Sequence, residues 1–226
     1  MKDSLIQPET KILPTLNPKC ILCFNLGHFF SFREQVQGTK PKPLGPSKYF
    51  HFEHMGEKFS VIGGMIGGSL SLLALENALA AGAKSFIALG TAGWIEDSPW
   101  EAGAIFQVKN AWDRTGMGQE LGLEVMGQAH PRLPIPAANL VSVAHFYDLS
   151  PSKLKEYRDW GAQMIDMEMA LCIHFCQSLG ISLQPVLILT DGMKKDQWED
   201  QRFEPHIIEC LQKSFELILE IVQGFS

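Results

Sequence analysis

No stretch of the sequence approaches the roughly 18 uninterrupted apolar residues that a membrane-crossing helix requires, which argues against a helical membrane protein. The first ten residues carry Lys2, Asp3 and Glu9 where a secretory signal would place an apolar core, so a cytoplasmic location is expected, with no membrane partner. Basic charge is also short. Against 25 acidic side chains stand 19 lysines and arginines, a net charge of -6, and no local basic cluster offsets it, so nucleic acid is not an expected partner. Cysteines number 5, an odd count, and sit among apolar neighbours, which argues against a disulfide framework. Neither internal repeats nor low-complexity tracts occur, which excludes solenoid, fibrous and largely disordered chains.

What is present is apolar mass. With 226 residues, 46% of them hydrophobic, the chain can bury one sizeable core, and a single domain over residues 20–226 is expected, preceded by a proline-punctuated surface extension over residues 1–19. Apolar runs bounded by turn residues predict strands at residues 20–26, 49–53, 58–64, 104–109, 140–144, 163–165 and 184–189, with a hairpin at Met55-Gly56-Glu57. A strand, a glycine cluster, an alanine- and leucine-rich helix and a second strand over residues 59–94 make a β-α-β unit. That helix, Leu70 to Leu79, has few polar residues and calls for cover on more than one side. Further helices are predicted from Pro151, with Ser150 as N-cap, from Glu168 to Leu179 with Gly180 as the stop, and from Pro205 to about Val222. The fold class is α/β: a mixed, mostly buried central sheet flanked by helices on both faces.

Ligands in such folds collect beyond the carboxyl ends of strands, and the unusual residues gather there. The cluster Gly63-Gly64-Met65-Ile66-Gly67-Gly68 matches neither the dinucleotide fingerprint nor the P-loop. It is either a tight strand-to-helix turn or a place where amide groups face an anion or sugar hydroxyls. Gly90-Thr91-Ala92-Gly93 puts a hydroxyl at a strand tip. Asp166-Met167-Glu168 sets two carboxylates at a helix start, where simple capping competes with recognition of a hydroxyl pair. In Thr190-Asp191-Gly192, Asp191 follows a very apolar run, so burial would raise its pKa; an Asx-turn is the alternative. Cys20 and Cys23 have metal-like spacing but lie in an apolar strand with no second pair nearby, so no metal site is expected. His51 and His54 read as surface or packing residues.

Taken together, these strand ends resemble the nucleoside phosphorylase and nucleosidase superfamily, which cleaves the N-glycosidic bond of nucleosides. Met65-Ile66-Gly67-Gly68 leading to Glu76 is similar to its G-I-G-G motif, Gly90-Thr91-Ala92-Gly93 to its G-T-x-G, and Phe146-Tyr147 to its F-Y element. Asp166-Met167-Glu168-Met169-Ala170 is similar to its E-M-E-x-A and Thr190-Asp191 to its S-D. The resemblance implies a phosphorylase-like domain in which Phe146, Thr190 and Gly93 contact the base, Glu168, Met167 and Thr91 hold the ribose, and Asp191 protonates the departing base. It implies a small-molecule nucleoside as partner and a homodimer or higher homo-oligomer, with no cofactor beyond phosphate as a possible co-substrate. Purine is preferred over uracil, because Asp191 suits N7 and the Gln and Arg of uridine phosphorylases have no counterpart after Tyr147; Trp94, Trp112 and Trp198 are candidates to reshape the pocket.

The sequence departs from the family at the nucleophile. Three phosphate-binding arginines have no counterpart at Phe24-Asn25-Leu26-Gly27-His28, near Gly45 or at Ala88, which removes the bidentate clamp. Lys48 or Arg33 is a substitute cation, Gly67 and Gly68 remain as an anion loop, and water and phosphate both stay open as nucleophile. The nucleosidases' water-activating glutamate is missing too. His28 is the nearest candidate base, with a histidine of no catalytic task as the alternative.

Overall fold

The structure, a computed structural model, describes residues 8, 10, 12–96, 99–122, 126–128, 133–194, 197–202 and 204–223. Phe203 and most of residues 1–11, part of the expected extension, lie outside the described residues. In chain order the elements are β1 (Lys19–Cys23), α1 (Leu26–Gln35), β2 (Lys42–Leu44), β3 (Ser47–His54), β4 (Glu57–Gly63), α2 (Gly68–Ala80) and β5 (Ser85–Trp94). There follow β6 (Ile105–Arg114), α3 (Met117–Glu120), β7 (Met126–Gln128), β8 (Ala137–Val143), a 3₁₀ turn (Phe146–Asp148), α4 (Pro151–Asp159) and β9 (Met164–Asp166). The chain closes with α5 (Met169–Ser178), β10 (Ser182–Lys194), β11 (Gln197–Asp200) and α6 (Pro205–Gln223).

The strands form one mixed sheet in the order β11-β10-β6-β8-β9-β5-β1-β4-β3-β2, with β7 beside β6. A further pairing of β10 with β5 closes β5, β10, β6, β8 and β9 into a ring, so half of the sheet is a barrel. β1 runs parallel to both β4 and β5, and these strands alternate their apolar side chains between two cores. On one face α2 and α5 cover Leu22, Ala88 and Leu187; on the other, α1 and α6 cover Ile21, Ile87 and Ile188 through Phe29, Phe32 and Phe215. The expected two-faced α/β domain is therefore present.

Local signals explain several elements. Met55 and Gly56 both have positive φ, 51° and 80°, the geometry of a two-residue hairpin turn. Ser150 accepts a hydrogen bond from the Lys153 amide and Pro151 opens α4. Gly180, φ 66°, stops α5 in the left-handed conformation. Cys20 belongs to one core and Cys23 to the other, so the strand's alternation keeps the two thiols from sharing a ligand.

Three features differ from the reading of the sequence. The run expected as one strand through Leu26 breaks after Cys23, because Asn25 accepts from the Gly27 amide at 2.6 Å and caps α1, which lays Phe29 and Phe32 inward. β10 does not end at Leu189; it continues through Asp191 and pairs with β11. The end of the expected extension is tied down: Leu16 is buried and its amide donates to the Ala81 carbonyl at 2.9 Å. Among the described residues no helix is long and apolar enough to cross a membrane.

Candidate active site

A cavity of about 330 Å³ opens at the carboxyl ends of the parallel strands. Its wall takes Phe24 and Asn25 from beyond β1, Ile66 from beyond β4, Thr91 to Gly93 from β5, Ala144 to Tyr147 from beyond β8, Ile165 to Glu168 from β9 and the start of α5, Asp191 from β10, and Arg202 from beyond β11. The sheet order thus gathers residues more than 160 positions apart in sequence around one hollow.

Asp191 reaches the cavity through a bulge. The β10–β5 register shifts between Leu189 and Asp191, so Thr190 is the extra residue, and such bulges re-aim side chains. In a regular strand adjacent side chains point to opposite faces; here Thr190 Oγ1 donates to Asp191 Oδ1 at 2.9 Å. Trp198 Nε1 donates to Asp191 Oδ2 at 3.2 Å. Asp191 is 5% exposed, and burial raises its pKa, opposed by the Thr190 hydroxyl, the Arg202 charge and the Trp198 indole. The group therefore keeps its proton to a higher pH than an ordinary aspartic acid.

The two carboxylates of Asp166-Met167-Glu168 divide their tasks. Asp166 accepts from the Met169 amide at 2.9 Å and from the Ser142 hydroxyl, so the capping task falls to it. Glu168 makes no side-chain cap of α5; its Oε1 accepts from the Gly67 amide at 2.5 Å and its Oε2 from the Met167 amide at 3.3 Å. Both are buried, and burial pushes both pKa values up, with the charge of Glu168 adding to the effect on Asp166. Gly67, φ 87°, adopts a backbone that L side chains rarely take, and its amide serves the chain's own carboxylate.

Thr91, Gly93, Phe146, Met167, Glu168 and Asp191 all line the cavity. Thr190 supports Asp191 from behind, Gly67 supports Glu168, and Gly68 opens α2. His28 and Lys48 are not among the lining residues. His28 sits in the first turn of α1, its Nδ1 buried without a hydrogen-bond partner and its pKa lowered to about 4 by burial, which makes a weak base near neutral pH. Lys48 lies over the Phe30 ring, 5.5 Å from its centroid, and Arg33 donates to the Thr39 carbonyl at 3.0 Å. Of the tryptophans considered, Trp94 stacks on Phe106 and Trp112 joins the cluster under α4. Trp198 stands behind the wall.

Sequence reasoning did not single out Asn25, Ile66, His145 or Arg202 as lining residues. Arg202 is held by Asp200, with Nε 2.9 Å from Oδ1 and a second nitrogen 2.5 Å from Oδ2. It is the only arginine or lysine in the cavity wall among the described residues. Nothing local in Asp200-Gln201-Arg202 signals this, because the unpredicted β10–β11 pairing is what carries Arg202 to the site.

A family model, the Phosphorylase superfamily, matches residues 20–223. No curated protein matches the sequence significantly. Similar solved structures include purine nucleoside phosphorylase from Toxoplasma gondii in complex with immucillin-H, at 18% identity and TM-score 0.74 over 97% of this chain and 96% of that one. Uridine phosphorylase from Vibrio fischeri is 15% identical, with TM-score 0.75 over 96% and 95%. The Campylobacter jejuni 5′-methylthioadenosine/S-adenosyl homocysteine nucleosidase is 14% identical, with TM-score 0.77 over 91% and 98%.

Proposed function

The chain belongs to the phosphorylase superfamily, and on that premise we propose that its cavity cleaves the N-glycosidic bond of a purine-type nucleoside, with water as the acceptor. The observation that carries the reading is the buried Asp191, its pKa raised by burial, facing the same hollow as Glu168 and Phe146. Phe146 stacks on the base, Glu168 accepts from the 2′- and 3′-hydroxyls, and Met167 packs on the ribose. As the bond between C1′ and N9 breaks, its electron pair passes to the purine and the Asp191 proton moves to N7. The sugar takes on oxocarbenium character. Water adds its oxygen to C1′ and releases a proton to solvent, from which the Asp191 carboxyl is restored.

Water is favoured over phosphate by the distribution of charge. Among the described residues the only lysine or arginine in the wall, Arg202, is spent on Asp200 and lies beside Asp191, at the base end. Ala88, at the place of a phosphate arginine in the family, is buried in the core. A phosphate trianion or dianion at the Thr91 end would thus be desolvated without a paired guanidinium. We also assign a homodimer to the reading. Leu70 and Leu73 are exposed at helical spacing along α2, and Ile66 is exposed just ahead of it, an apolar patch that a second copy would cover.

The test is a panel of nucleosides, including inosine, adenosine, 5′-methylthioadenosine and uridine, incubated with the protein with and without phosphate while base, ribose and ribose 1-phosphate are measured. Release of free purine together with the unphosphorylated sugar, unchanged by phosphate, is expected. Release that requires phosphate would replace hydrolysis by phosphorolysis, and binding without release would identify a non-catalytic nucleoside-binding protein.

A further inference from the structure

Trp198 lies on β11 opposite Met193 of β10, half-buried, and three residues of the cavity wall converge on its indole. Its N–H donates to Asp191 Oδ2 at 3.2 Å. Its ring meets Phe146 edge to face, with centroids 5.2 Å apart and planes at 81°. It also covers Gly93 so closely that a Cβ there would stand 2.6 Å from the indole carbons, so glycine at this strand position is what admits the ring.

We propose that Trp198 is a positioning residue of the reaction assigned above, fixing the Asp191 carboxyl and the Phe146 ring to one rigid support behind the cavity wall. The inference rests on that functional reading. The torsion that turns a carboxyl about its own axis is soft, so an aspartate at a strand tip samples many orientations unless both oxygens are held. Here Thr190 holds Oδ1 and Trp198 holds Oδ2, while each oxygen keeps a lone-pair site for the proton that moves. The same indole presses on the ring that stacks the base, so the distance from proton donor to base edge is set by one side chain.

The N–H also acts on the proton itself, because a donor to a carboxylate favours the ionised form. Among the described residues, the charged and titratable groups around Asp191 are Arg202 and Asp200 at the end of β11, Asp166 and Glu168 across the cavity, and His145 and Tyr147 on the turn after β8. Trp198→Phe removes none of these and keeps an aromatic ring in place. It therefore raises the Asp191 pKa by about one pH unit, the tenfold effect of one hydrogen bond to a charged group.

The experiment has a substrate-free arm and a turnover arm. Tryptophan fluorescence of the full chain is titrated with pH in the wild type, Trp198→Phe and Asp191→Asn. A step present in the wild type and absent from both variants is expected; no step in the wild type, or a step that survives either variant, overturns the proposal. In turnover, Trp198→Phe should lower kcat about tenfold, as small misplacements of reacting groups do, and move the alkaline limb of the pH profile up by about one unit with KM nearly unchanged. Trp198→Ala, which also frees the Phe146 ring, should raise KM as well. Unchanged kcat and an unmoved limb in Trp198→Phe would overturn the positioning role. If the wild type releases base from no nucleoside, the functional reading fails, while the fluorescence arm still decides whether Trp198 holds Asp191.

Discussion

Replacing Asp191 by Asn separates the proposed acid from the scaffold that holds it. The amide has the same shape, and both existing hydrogen bonds have a counterpart: its oxygen accepts from Trp198 Nε1, and its NH₂ donates to Thr190 Oγ1, which accepts as readily as it donates. The reversed bond leaves the buried Thr190 hydroxyl proton without its acceptor, a cost opposed by no longer burying a group that can ionise, so stability should change by no more than about 1 kcal/mol. The amide can still donate a hydrogen bond to the base, but it cannot hand over a proton. General acid catalysis of this kind contributes about 10²–10⁴-fold, equivalent to about 2.7–5.5 kcal/mol of transition-state stabilisation. Initial rates of purine release over a range of nucleoside concentrations, with melting temperatures for both proteins, give the comparison. The expected result is a fall in kcat within that range at nearly constant KM and Tm. A kcat within about threefold of wild type would show that Asp191 is not the acid.

Other perturbations probe the rest of the wall. The raised Asp166 pKa means that the folded state holds this proton more tightly than the unfolded chain does, so the stability it contributes is present at acid pH and is lost as pH rises through the folded value. Asp166→Asn should flatten the loss of Tm between acid and alkaline pH, and an unaltered slope would refute the assignment. Glu168→Gln should weaken ribosides by about 10–100-fold, the worth of hydrogen bonds to a charged group, and should affect 2′-deoxynucleosides less; equal losses on both substrates would remove Glu168 from the ribose. Gly93→Ala forces a methyl to within 2.6 Å of the Trp198 ring and should cost about 1–3 kcal/mol, read as a lower Tm in thermal unfolding, whereas an unchanged Tm would show that the ring yields freely.

The parts of this fold that were legible in the sequence are those specified by short-range chemistry. The turn at Met55-Gly56, the Ser150-Pro151 helix start and the Gly180 stop each depend on a few neighbouring residues. The parts that were not legible depend on partners far along the chain. Thr190-Asp191-Gly192 has the composition of a turn, yet β11 pairs with it and β5 runs beside it, so the polar segment continues as strand. α1 did carry a local signal, Asn25 as cap followed by inward Phe29 and Phe32, but the apolar Phe24 and Leu26 on either side made it read as more strand. The site divides in the same way. Glu168, Met167, Phe146 and Asp191 are recognisable because each sits in a motif at a strand end. Arg202 reaches the site only through the β10–β11 pairing and bears no local mark, and Trp198, a candidate from the sequence to reshape the pocket, owes its contact with Asp191 to the same pairing.

In the proposed reaction one buried carboxyl, that of Asp191, faces the edge of a purine whose sugar is held by Glu168. A crystal structure of the protein with a purine nucleoside analogue that cannot be cleaved, such as a carbon-linked one, tests it directly. An Asp191 oxygen within hydrogen-bond distance of the base N7, with the 2′- and 3′-hydroxyls on Glu168, is the predicted result. A base bound away from Asp191, or a sugar turned away from Glu168, would rule this arrangement out.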